Sequence, residues 1–130
     1  MIEDNTDLIN NYIDWLKERF IVKDIDGICE ITTPFIDRHS DNIQIHIEEM
    51  GDKFILTDKG YTISDLQTNG YDFDTNEKRQ MLLCILNMFG INLYKNELVI
   101  NTTYDDFSQR LHNIIQAILY VNSLFTIKSM

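Results

Sequence analysis

The chain has 130 residues, 44% of them hydrophobic, with 21 acidic against 11 basic side chains and a net charge of −10. That size and composition suit one domain spanning 1–130 with a real core, and they exclude a disordered acidic tail. The negative balance disfavours direct nucleic-acid binding, which needs basic groups against phosphates, and no apolar run approaches the roughly 20 residues of a membrane span.

The start, Met-Ile-Glu-Asp-Asn-Thr-Asp, is acidic and does not read as a secretory signal. Cys29 and Cys84 form no motif, so a reduced, cytoplasmic setting is expected. Residues 1–33 hold eight acids (Glu3, Asp4, Asp7, Asp14, Glu18, Asp24, Asp26, Glu30) and three bases (Lys17, Arg19, Lys23). Half of the net charge therefore lies in the first quarter of the chain. Such an excess suits solubility and steering toward a basic partner.

Residues 7–20 predict an amphipathic helix, because Leu8, Ile9, Tyr12, Ile13, Leu16 and Phe20 recur at three- and four-residue steps. Thr6 or Asn5 caps it, and Asp7 suits the positive end of the dipole. Trp15 falls beside the stripe as a partly buried anchor. Residues 21–25 fit either a continued helix or a new strand. Asp26-Gly27 marks a turn, and 28–33 read as a strand broken at Pro34.

The cleanest pattern follows. Ile43, Ile45 and Ile47 alternate with Gln44, His46 and Glu48, the period of a half-buried strand. Gly51-Asp52 turns it back through 53–57, and Asp58-Lys59-Gly60 closes the hairpin. A short helix over 62–68 places Ile63 and Leu66 inward. Asn69-Gly70 and Tyr71-Asp72-Phe73-Asp74 form an acidic loop.

Thr75 or Asn76 caps the next helix, with Glu77 in its first turn. Residues 81–89 are apolar on nearly every side, which predicts a buried central helix ending at Gly90. Residues 91–94 and 97–101 flank Lys95-Asn96 as a second hairpin. The longest helix starts from Thr103 or Asp105, carries Phe107, Leu111, Ile114, Ile115, Ile118, Leu119 and Leu124, and frays after Phe125. The sum is an α+β domain: an antiparallel sheet from two hairpin regions, packed by an N-terminal helix, a buried central helix and a long C-terminal helix.

Chemistry concentrates at Asp37-Arg38-His39-Ser40-Asp41. With Asp58, the set Asp37, His39 and Asp41 is the material of a divalent-metal site, as a metal-dependent nuclease or phosphoesterase would use. Neither Glu48-Glu49-Met50 nor Asp58-Lys59-Gly60 supplies the acid–any–lysine spacing of restriction-type nucleases. The structural alternative pairs Arg38 with Asp37, Asp41 or Asp58 and sets the aspartates on loop amides. No nucleophile elbow, Walker loop, glycine-rich dinucleotide motif or Cys-x-x-Cys occurs, so no cofactor is expected. His112 fits a surface position, and both cysteines fit packing roles.

A second group is the acidic and aromatic surface: Asp7, Asp14 and Glu18 on the first helix, and Tyr71, Asp72, Phe73, Asp74 and Glu77 around the loop. Aromatics anchor interfaces and acids steer basic partners.

The run Thr33-Pro34-Phe35-Ile36-Asp37-Arg38-His39, followed by Asp41-Asn42-Ile43-Gln44-Ile45 and Leu56-Thr57-Asp58-Lys59-Gly60-Tyr61-Thr62-Ile63, resembles DUF1828, a family of unknown function. Leu111-His112-Asn113 and Ile115-Gln116-Ala117 resemble that family's final helix. The resemblance implies a bacterial, phage or other mobile-element setting and transfers no catalytic residue. It also implies that Pro34, Asp37, Arg38, Asp41, Thr57, Asp58 and Gly60 form a shared structural nucleus. Small acidic proteins of mobile elements often inhibit host defence, as anti-CRISPR and anti-restriction proteins and DNA mimics do. The leading expectation is thus a non-catalytic protein that binds the nucleic-acid-handling surface of a defence nuclease, with no membrane partner. The alternatives are the metal enzyme and a dimeric regulatory module paired through its last helix.

Overall fold

The structure is a computed structural model that describes residues 2–129, with side chains from 4 to 126. Its elements run α1 (Ile2–Arg19), β1 (Ile21–Ile25), β2 (Ile28–Ile36), β3 (Asn42–Met50), β4 (Lys53–Thr57), α2 (Tyr61–Thr68), α3 (Asn76–Phe89), β5 (Asn92–Tyr94), β6 (Glu97–Thr103) and α4 (Phe107–Ser129). The α+β class and antiparallel sheet follow as the pattern predicts. The two hairpin regions merge into one six-stranded sheet, ordered β1-β2-β3-β4-β6-β5.

Register explains the two faces. Cys29, Ile47, Leu56 and Ile100 are successive partners across β2, β3, β4 and β6, and Ile31 faces Ile45 one step along. These apolar rows form the core side, with Ile45 and Leu56 fully buried. The neighbouring row, Lys23, Glu30, His46, Thr57, Val99 and Asn92, crosses all six strands on the opposite, polar side. Each large aliphatic side chain taken wholly into the core contributes about 1.5–3 kcal/mol.

The helix that fills this core is α4, whose Ile114, Ile115, Ala117, Ile118, Val121 and Leu124 are all buried. That corrects the expectation of a central helix over 81–89. Helix α3 buries Leu82, Ile85 and Leu86 but exposes Met81, Leu83 and Met88, because it packs against α4 with one side only. Its ends are as predicted: Thr75 Oγ1 accepts the Lys78 N–H at 3.1 Å, and Gly90 closes it with φ 70°. Helix α4 begins at Phe107, two residues beyond Asp105, and continues past Phe125 to Ser129.

Three further points refine the expectation. Residues 21–25 are a strand, where the sequence left helix and strand open. Strand β2 does not stop at Pro34. It carries on to Ile36, and the β2–β3 register slips between Thr32 and Ile36, where a residue without an N–H costs no ladder bond. Finally, most of the apolar stripe of 7–20 does not face the core: Leu16 is half-buried and Phe20 packs against Phe35, but the rest is exposed. Leu8 is 65% exposed, Ile9 58%, Tyr12 and Ile13 53%, and Trp15 44%. Trp15 carries the Arg19 guanidinium over its ring at 4.1 Å rather than anchoring in the interior. The core side of the sheet is filled mainly by α4, and α1 touches the sheet mainly along β2.

Candidate functional site

The 37–60 region folds around its own aspartates. Asp37 Oδ1 accepts the backbone N–H groups of His39 at 2.8 Å and Asp41 at 3.1 Å, while the Asp37 N–H donates to Asp41 O at 2.9 Å. Ser40 takes a positive φ of 64° to close this loop. Asp58, 4% exposed, accepts from Gly60 N at 2.8 Å, Leu98 N at 2.9 Å and Thr62 N at 3.1 Å. Carboxylates that accept two and three amide bonds are scaffold. Thr57 works in the same way: its Oγ1 accepts from Lys59 N and donates to Glu97 Oε1.

Arg38 pairs with none of the three aspartates considered for it. It reaches across 27 residues to Asp65 Oδ2 at 2.8 Å and lies over the Phe125 ring at 4.2 Å. His39 joins the same carboxylate, with Nε2 at 2.9 Å from Asp65 Oδ1. Asp65 thus clamps the 37–41 loop onto α2. Nothing in its local sequence marks it, because its partners are distant along the chain. Among the described residues no group of three His, Cys, Asp or Glu side chains is placed to hold a metal ion.

A cleft of about 720 Å³ opens beside this scaffold. Strand β4 ends at Thr57, so the first half of β3 has no strand beyond it, and the gap runs from the polar side of the sheet down to α4. Asn42, Gln44 and His46 line one wall, Gly60, Tyr61 and Ser64 the other, and Ile118 with Asn122 form the floor. Asp37, Asp41 and Asp58 border it, with Lys59 as the cation at the rim. Lys59 Nζ pairs with Glu48, and His46 Nε2 lies 3.2 Å from Glu30 Oε2. Burial pushes the Tyr61 phenol above its ordinary value, and the nearby carboxylates of Asp65, Asp37 and Asp41 push in the same direction. Alternation in the sequence marks Gln44 and His46 as outward. The contribution of Asn122, from a helix more than sixty residues on, carried no signal.

The acidic and aromatic group separates. Asp7, Asp14 and Glu18 are exposed and stand seven and four residues apart, on one side of α1. Asp72, Asp74 and Glu77 are exposed in and after the loop. Asp74 Oδ1 accepts from Lys78 Nζ at 3.2 Å, which holds its carboxyl below the usual range. Tyr71, expected on the surface, is 3% exposed. Its ring packs edge-on against Phe73 at 5.2 Å in the core, because the turn after α2 feeds it inward through a Tyr71 N–H bond to Leu66 O. Phe73 is half-buried.

A family model described as "Domain of unknown function DUF1828" matches residues 33–121. None of the curated proteins and none of the solved structures matches the chain. The matched stretch takes in the Asp37 loop, the cleft and most of α4. It leaves α1, β1 and the first residues of β2 outside.

Proposed function

The chain belongs to the DUF1828 family, and from that premise we propose that it is a non-catalytic binding protein that docks onto a basic protein surface through α1. One observation carries this reading. The helix turns Leu8, Ile9, Tyr12, Ile13 and Trp15 to solvent while its other side bears Asp7, Asp14 and Glu18. An isolated helix of this length gains nothing from such a stripe unless something covers it. A groove with an apolar floor and basic surroundings supplies both halves: helix-in-groove burial for the stripe and longer-range attraction for the acids on the helix's outer side. The nucleic-acid channel of a nuclease, such as a CRISPR effector or restriction enzyme, has those basic surroundings. The surplus of acids over bases steers the encounter.

The carboxylates of the 37–60 region support the same reading from the other side. Asp37 and Asp58 are engaged by backbone amides, so their role in this fold is to hold loops.

Calorimetric titration against a purified CRISPR effector and a purified restriction endonuclease tests the proposal. Binding is expected to weaken steeply as salt is raised above about 0.1 M, where the Debye length falls below about 10 Å. It is expected to be lost in the variant Ile9→Ser/Ile13→Ser and weakened in Asp7→Asn/Asp14→Asn/Glu18→Gln. Affinity that ignores both salt and these substitutions would sink the proposal, as would no binding to either enzyme.

A further inference from the structure

The cleft beside β3 has a property that its side chains alone do not reveal. Gly51-Asp52 is a two-residue turn, with Gly51 at φ 65°, joining the partners Met50 and Lys53. In such a hairpin the flanking residues exchange the first pair of backbone bonds, and every second residue thereafter does the same. Met50, Glu48 and His46 therefore turn their N–H and C=O toward β4. The far side of β4 agrees: the Asp58 N–H donates to Leu98 O at 3.2 Å, so Asp58 and Leu56 face β6, and Thr57, Ile55 and Lys53 face β3.

Continued along β3, the same parity points the N–H and C=O of Gln44 and Asn42 into the cleft. There β4 has gone. Lys59 and Gly60, at φ 59° and 80°, swing the chain out of the sheet into α2. Strand β3 pairs with β4 only from His46 to Met50, whereas its pairing with β2 runs from Ile47 back to Asn42. Among the described residues no backbone bond joins 42–45 to 58–64. The sheet thus has an internal edge, walled by the start of α2 and floored by Ile118 and Asn122 of α4.

We propose that this cleft is a peptide-binding slot, in which an extended segment of a partner protein pairs with β3 at Asn42 and Gln44 and presents a lysine or arginine to Asp41. The space fits: about 720 Å³ lies within the roughly 300–1,000 Å³ of ligand clefts, and four extended residues span about 13 Å. The chemistry fits as well. A strand edge recognises the main chain of any extended peptide, while side-chain pockets supply the selection. Three acidic residues, Asp37, Asp41 and Asp58, line this space against one lysine, Lys59, which already pairs with Glu48. Asp41 is the exposed member of the three. Beyond burial and Asp65, the carboxylates of Asp37 and Asp41 also raise the Tyr61 phenol, while Arg38 opposes them. This slot is separate from the α1 surface, and either could exist without the other.

The test is panning of a displayed library of random heptapeptides on the full chain, followed by amide chemical-shift mapping with the enriched peptides. Enrichment of sequences carrying Lys or Arg, saturable binding and shifts at the Asn42 and Gln44 amides are expected. Methylating alternate peptide nitrogens should weaken binding about tenfold, the equivalent of one lost backbone bond. Gln44→Pro deletes a donor that β2 does not use and should abolish binding. Asp41→Lys, a surface change that keeps the fold, should reverse the preference for basic peptides even if the proline variant misfolds. No enrichment, enrichment of acidic peptides, or binding that leaves the Asn42 and Gln44 amides unmoved overturns the slot.

Discussion

Helix α1 and the 37–60 loop-and-hairpin region are equally rich in charge, yet they use it in opposite ways. Around Asp37, Asp58 and Asp65 each carboxylate meets a donor within 3.1 Å, and the apolar partners of these loops are buried. On α1 Asp7, Asp14 and Glu18 face solvent, and so do Leu8, Ile9, Tyr12, Ile13 and Trp15. Density of ionisable groups therefore marks a scaffold in one place and a surface in the other. What separates them is whether the folded chain supplies the partner.

Asp58→Ala should break the comparison most forcefully. It leaves the N–H groups of Gly60, Thr62 and Leu98 without an acceptor, at about 1–3 kcal/mol for each one left buried. A loss that large consumes much of the 5–15 kcal/mol stability typical of a domain, so urea unfolding should show a chain near or past its folding limit. The matched change Asp14→Ala, on α1, should move the midpoint by less than about 0.5 kcal/mol.

The apolar version of the contrast comes next in size. Ile45→Ala removes a fully buried side chain from the centre of β3 and should cost about 2–5 kcal/mol. Ile13→Ala, at a site 53% exposed, should be nearly neutral in unfolding and yet weaken partner binding. If Ile13→Ala destabilises as much as Ile45→Ala, α1 is packed in solution and its docking role fails.

Much of this was legible in the sequence because it is local. Alternation fixed β3 and its faces, Gly51-Asp52 fixed the hairpin, and Thr75 and Gly90 fixed the ends of α3. What could not be read depends on competition between elements. Two helices offered apolar stripes to one sheet face, and only packing decides that α4 wins it while α1 stays outside. The run at 81–89 is apolar enough for a central helix, but its place beside α4 leaves Met81, Leu83 and Met88 uncovered. The cleft was hidden for a related reason. It arises where β4 stops short of β3, a mismatch in length that no single residue announces. Arg38 could be seen to need a carboxylate, but Asp65 lies 27 residues away.

Acid should act on the start of α4 with a smaller effect. Asp106 accepts from Thr103 N at 2.7 Å, and from the hydroxyls of Thr102 and Thr103, and it pairs with Arg110. These bonds, the Thr103 amide foremost, hold its carboxyl below the ordinary range. A depressed folded value means the stabilisation is complete above the unfolded value of about 3.9 and fades as pH falls below it. Stability of the wild type should drop across that acidic window more than stability of Asp106→Asn, in unfolding curves taken from pH 5 downward. Equal acid sensitivity would show that the capping bonds do not persist in solution.

The smallest effect is the most pointed for the cleft. Tyr61 is held above its ordinary phenol value first by burial and then by the carboxylates of Asp65, Asp37 and Asp41. Raised in the folded state, it contributes stability that is present below the unfolded value of about 10 and lost as pH rises past it. Ultraviolet titration of Asp41→Asn should bring the Tyr61 transition partway down, since the largest cause, burial, is untouched. Asp65→Asn removes a stronger neighbour but also releases Arg38 and His39, so its shift would mix charge with a loosened loop. The Asp41 variant isolates charge alone. If its titration curve overlays the wild type, Asp41 does not set the potential at the cleft, and the preference for a basic peptide loses its electrostatic basis while the strand edge at Gln44 stands.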